Sequence, residues 1–81
     1  MSVTPGKVQA ALRAESRKLD RRYRGVHVFE PIHETPATAG CNWSAGFHCR
    51  GSDAPLDELR DALERVQAKL PIVAFSRAQL R

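Results

Sequence analysis

Gly40-Cys41-Asn42-Trp43-Ser44-Ala45-Gly46-Phe47-His48-Cys49-Arg50 holds the single Trp and both Cys of an 81-residue chain, and the reading of this stretch decides the fold. In an extended segment alternate side chains point to opposite faces, which puts Cys41, Trp43, Ala45, Phe47 and Cys49 on one side and Asn42, Ser44, Gly46, His48 and Arg50 on the other. One face is apolar and the other polar. A helix would scatter Trp43, Phe47 and the cysteines around its cylinder and carry Gly46 in its interior at a cost of ~1 kcal/mol. Residues 41–49 are therefore expected to form a strand with sulfurs and rings turned inward. On one unbroken strand the two thiols stand roughly 26 Å apart, well beyond the ~7 Å that a disulfide spans.

Upstream, Val26 to Ile32 is rich in β-branched and aromatic types. It predicts a partner strand with Val26, Val28 and Ile32 on one face and His27, Phe29 and His33 on the other. Pro31 has no amide donor, so it belongs at an edge, a bulge or a strand end. Residues 34–40 carry turn chemistry, and an antiparallel pair joined by this loop is the simplest topology. Thr4-Pro5 is a helix start, Val8, Ala11, Leu12, Leu19 and Tyr23 recur near helical spacing, and Gly25 suits the stop, which predicts a helix over residues 5–23. Glu15 interrupts its apolar stripe.

Downstream, Gly51-Ser-Asp-Ala-Pro55 breaks the strand and opens a second helix, with Asp53 or Ser52 as cap and Pro55 in the first turn. Leu56, Leu59, Leu63, Val66 and Leu70 form one apolar seam, Asp61 and Arg65 are placed to pair on the outside, and Pro71 ends the helix. Residues 72–75 are expected to form either a short terminal strand, the preferred reading, or a docking tail. The expected fold class is α+β, a single domain over residues 1–81 in the order α-β-β-α. Its small antiparallel sheet has two to three strands, with both helices on one face.

A chain this short buries only roughly 60–65% of its unfolded surface, so a second copy packing on the sheet would supply core that one copy lacks. A homodimer is one expected assembly. No apolar run approaches the ~20 residues of a membrane span and no signal segment is seen, so the expected location is the cytoplasm, with reduced thiols and no membrane contact. The formal charge of +4 is unevenly placed. Lys7, Arg13, Arg17, Lys18, Arg21, Arg22 and Arg24 crowd the first helix, whereas Asp53, Asp57, Glu58, Asp61 and Glu64 make the second one acidic.

His27, His33, Cys41, His48 and Cys49 are ligand types, but they lack the close pairs from which structural zinc sites are built, and no metal or other cofactor is expected. The apolar surroundings of both cysteines speak against a nucleophilic thiol. No nucleophile elbow, phosphate-binding glycine loop or zinc-protease pair is present, so no catalytic residue is assigned and an enzyme is not expected. The arginines of the first helix could neutralise nucleic-acid phosphates, or they could be a solvated face meeting the acidic second helix.

Gly40-Cys41-Asn42-Trp43-Ser44 follows a Val/Phe strand ending in Pro31 and leads through Cys49 and an Asp53-Ala54-Pro55 turn to a Leu/Ala-rich helix. This arrangement, over about residues 26–70, resembles a group of small uncharacterised proteins of proteobacteria and their phages or prophages. The resemblance implies a mobile-element setting in which small domains act by occluding a host protein, and it implies no catalytic residue. The expected function is a non-enzymatic protein-interaction module, of the kind that inhibits a host defence or regulatory complex. Its partner would be a host protein or protein–nucleic acid complex, contacted through Arg13, Arg17, Lys18, Arg21, Arg22, Arg24, His27 and Phe29. The alternative is a nucleic-acid-binding accessory protein that uses the basic first helix.

Overall fold

Thr4 and Pro5 open helix α1 (Pro5–Arg22): the Thr4 hydroxyl accepts a hydrogen bond from the Lys7 amide at 3.3 Å, and Pro5 occupies the first turn, where its missing donor costs nothing. The computed structural model describes residues 2–38, 40–51 and 53–75. Val8, Leu12 and Leu19 form the buried stripe of α1, and the helix closes at Tyr23, whose amide bonds the Leu19 carbonyl. Gly25 then takes a positive φ of 103°, a conformation that glycine adopts freely, and turns the chain into the sheet.

Four strands follow, β1 (Val26–Phe29), β2 (His33–Thr38), β3 (Cys41–Ser44) and β4 (Phe47–Arg50). β1 pairs with β4 and β2 with β3, both antiparallel, so the molecule carries one long hairpin broken in the middle. The strand expected over 41–49 is thus interrupted at Ala45-Gly46. Glu30, Pro31 and Ile32 stand opposite those two residues, one residue in excess, and the donor-less Pro31 sits in the resulting irregularity. The Glu30 amide bonds the Gly46 carbonyl at 2.8 Å across the break. The Glu30 carboxyl lies over Gly46, where a Cβ would come within 2.8 Å of Glu30 Oε1, so only glycine fits without displacing that side chain.

At the far end Thr38 pairs with Cys41, and Gly40, with φ of 79°, sits in the short connection between them. The long loop expected for residues 34–40 is instead mostly strand. Its excess length is taken up where residues 35–37 stand against Asn42 alone, an irregularity that again contains a proline, Pro36.

The in-out alternation of the Trp-bearing stretch survives the break: Trp43 is 1% exposed and Ala45 is buried, whereas His48 and Arg50 are exposed. The expected faces of β1 are reversed. Register explains why, since residues directly opposite share a face and His27 stands opposite Cys49 and Phe29 opposite Phe47. Phe47 faces the core, so Phe29 does too, meeting it edge-on at 6.1 Å, while Val26 is exposed.

Helix α2 (Leu56–Lys69) begins two or three residues later than a cap at Asp53 or Ser52 would place it. Pro55 is its N-cap and no side chain caps it; the amide of Asp53, one of the two cap candidates, instead bonds the Arg24 carbonyl at 3.2 Å. Ser52, the other candidate, lies outside the described residues. Its buried stripe is Leu59, Ala62, Leu63 and Val66. Leu56 lies about 70° around the cylinder from the centre of that stripe and is 62% exposed.

Past α2, residues 70–74 dock against β3 through its side chains. The Asn42 amide receives the Val73 N–H and donates to the Val73 carbonyl, both at 2.9 Å, and Trp43 Nε1 donates to the Leu70 carbonyl at 2.8 Å. Gln67 Nε2 returns a bond to the Trp43 carbonyl at 2.9 Å. In place of the terminal strand expected over 72–75 there is a single parallel bridge between Val3 and Val73. Val8, Leu12, Trp43, Ala45, Leu63, Val66 and Val73 pack together as the main core, so both helices and both hairpin halves share it.

Replacing Asn42 by Ala strips both partners from the Val73 peptide groups and should cost about 2 kcal/mol. Urea unfolding should show a lower midpoint at unchanged slope. A loss below about 0.5 kcal/mol would mean that water replaces the amide without penalty.

Candidate functional site

Arg13, Arg17 and Arg21 follow one another at four-residue steps on α1, each step advancing about 6 Å and rotating about 40° around the axis. They form a shallowly winding row on the side away from Val8, Leu12 and Leu19, and all three are exposed. Among the described residues none of them has a carboxylate within ion-pair distance. The neighbouring acids are committed elsewhere. Asp20 binds His27, and Glu15 binds Lys18 and Arg65.

The other expected site residues divide between surface and interior. Lys18 is exposed and donates to Glu15 Oε2 at 3.2 Å. The guanidinium carbon of Arg22 lies 5.4 Å from the Tyr23 ring centroid, a cation–π contact that holds it against the surface. Arg24 is exposed just beyond the helix. His27 and Phe29 line a depression of about 200 Å³ together with Arg13, but His27 is buried and Phe29 half-buried, so they lie further in than the arginines. His27 is 1% exposed, its Nδ1 is 2.7 Å from Asp20 Oδ1, and the Ser16 hydroxyl donates to its carbonyl, so it fastens β1 to α1. Phe29 packs on the main core.

The contact between the helices runs opposite to the charge pattern of the sequence. The basic helix supplies an acid, Glu15, and the acidic helix supplies a base, Arg65, whose Nη2 donates to Glu15 Oε1 at 2.9 Å. Arg65 therefore does not take the Asp61 partner expected on its own helix. Tyr23, at the end of α1, reaches α2 as well, donating to Glu58 Oε1 at 3.2 Å. Partial burial opposes ionisation of Glu15, but the Arg65 and Lys18 hydrogen bonds and their charges outweigh it and hold its carboxyl below the ordinary value of 4.5. Because Glu15 takes the cross-helix ion pair, the arginine row keeps its charge for solvent or a partner.

No family model, curated protein or solved structure matches the chain. Cys41 and Cys49 are free thiols, and Cys41 Sγ donates to the Trp43 carbonyl at 3.3 Å. Among the described residues no three His, Cys, Asp or Glu side chains come together as metal ligands, and no helix is long and apolar enough to cross a membrane.

Two features escaped the sequence reading. The groove between α1 and α2 is lined in part by Ala11, Ala14 and Ala68, and its only sequence signal was small residues at helical spacing. The commitment of Asp20 to His27 was signalled by neither residue, since β1 had to be placed before the pair could be seen.

The lowered Glu15 carboxyl gives a pH prediction. A group held lower in the folded state contributes stability above its unfolded value, and that contribution is lost as pH falls through the lowered value. Glu15→Gln should therefore reduce stability near neutral pH by up to about 1 kcal/mol, and wild type and variant should converge once the pH has fallen below the lowered value. Urea unfolding at neutral and acid pH checks this. An equal difference at both would remove the ion pair from the account.

Proposed function

We propose that the chain is a non-enzymatic protein-interaction module that presents the α1 arginines to an acidic surface of a host protein or protein–nucleic acid complex. Inhibition of a defence or regulatory assembly by occlusion suits a phage or prophage setting and a chain acting in the cytoplasm. The observation that carries the reading is the row Arg13, Arg17 and Arg21, exposed and without carboxylate partners among the described residues. Three guanidinium groups held at fixed spacing on one helix are pre-organised donors for carboxylates, and complementary charge of this kind speeds association and sets orientation.

The same row would serve a nucleic-acid-binding accessory protein. A protein partner is favoured because the aromatic residues that would stack on bases are turned inward: Trp43 is in the core, Phe29 and Phe47 pack against it, and Tyr23 bonds Glu58.

Capture from a bacterial lysate on the immobilised chain, with and without nuclease, separates the two readings. A stoichiometric protein that survives nuclease and is lost by about tenfold or more with Arg17→Glu and Arg21→Glu combined supports the module. Loss of all retained material on nuclease treatment transfers the row to nucleic acid.

A further inference from the structure

We infer that the groove between α1 and α2 seats the apolar face of an acidic helical segment from a partner protein, an inference that rests on the interaction-module reading above. The groove encloses about 450 Å³, within the roughly 300–1,000 Å³ typical of binding clefts. Ala11, Ala14, Val66, Ala68 and Leu70 give it an apolar lining. The three alanines leave room where longer side chains would have closed it. Val66 is buried beneath, and Ala14 and Ala68 are exposed at the lips.

Lys18 and Lys69 stand at the same opening, and the Glu15–Arg65 pair crosses it. Beyond that pair the depression continues as a second one of about 260 Å³, where Arg21 and Arg22 join the lining. The two carboxylates along this path are already engaged, Glu15 with Lys18 and Arg65 and Glu58 with the Tyr23 hydroxyl. The path is therefore apolar at its floor and positive along its α1 margin and at Lys69, while Asp61 and Glu64 lie beyond Ala68 on the outer side of α2. Its complement is apolar on one side and acidic on its flanks, as an amphipathic helix with Leu at three- and four-residue spacing and Glu elsewhere would be. Nucleic acid fits less well, because the first groove holds no ring on which a base could stack and its aliphatic lining offers phosphates nothing.

The apolar contact supplies a desolvated anchor, and the cationic side chains beside it supply orientation. The arginine row continues the positive field around the outer side of α1.

The test titrates the isotope-labelled full chain, followed by NMR, with a synthetic amphipathic peptide of about four turns, Leu on one face and Glu on the rest. A scrambled peptide of the same composition and a short DNA duplex serve as comparison probes. The expected result is saturable binding with amide shifts at Ala11, Ala14, Ala68 and Leu70, weakened about tenfold or more by Ala14→Glu with Ala68→Glu. Both alanines are exposed, so the double variant should melt as the parent does. Arg13→Gln with Arg17→Gln should lessen the salt dependence and leave the shifted residues unchanged.

Equal binding of the scrambled peptide would reduce the attraction to charge and overturn the proposal. Peptide binding lost with Arg13→Gln and Arg17→Gln but indifferent to Ala14→Glu and Ala68→Glu would overturn the groove and leave the interaction module standing. Binding of the duplex but not the peptide would overturn both. Self-association in sedimentation, abolished by Ala14→Glu with Ala68→Glu, would make a second copy the occupant and overturn the partner helix.

Discussion

Two adjacent side chains on β3 hold the molecule together. Asn42 gives the Val73 peptide groups the donor and acceptor that a neighbouring strand would otherwise provide, and Trp43 ties its indole N–H to the carbonyl of Leu70, where α2 ends. The last carbonyls of a helix have no internal partner, so the indole satisfies one of them while its ring fills the core. Gln67 closes the circuit by donating to the Trp43 carbonyl. Val3 bonds Ile72 and Ala74 from the other side, so the segment after α2 lies between the amino-terminal strand residue and the hairpin. Few apolar side chains are available in a chain of 81 residues, and polar ties of this kind fix the arrangement that burial alone would leave loose.

A second consequence is a division of labour among the charges. Several acids serve internal contacts: Asp20 pairs with the buried His27, Glu15 joins the helices through Arg65, and Glu30 covers Gly46 at the break in the hairpin. The arginines on the outer side of α1 are not used in this way. Among the described residues that basic row has no carboxylate partner, and the proposed function rests on it.

The helices and the apolar face of the Trp stretch were legible because their signals are local. Thr4-Pro5 caps a helix, Leu59, Leu63 and Val66 repeat along one side of another, and Cys41, Trp43, Ala45 and Phe47 alternate. The break at Ala45-Gly46 was less visible, since it depends on the opposing Glu30-Pro31-Ile32 having one residue too many. The same slip decided the faces of β1. With both faces of that strand partly apolar, the choice between Val26 and His27 as the inward residue rests on which one stands opposite Cys49. The site was legible as a charge pattern but not as a surface. Sequence spacing gave the arginine row, whereas the fate of Glu15, Arg65 and Asp20 depended on how the elements pack.

Amide hydrogen exchange tests the central claim most directly, because it reads each peptide group around the Asn42–Trp43 pair without altering a residue. If those side chains tie the segment after α2 into the cooperative unit, the Val73 and Ala74 amides should exchange within about tenfold of Leu63 in the middle of α2. Val73 exchanging at the rate of an unprotected amide, with Leu63 still protected, would show that the segment opens on its own and contradict the account.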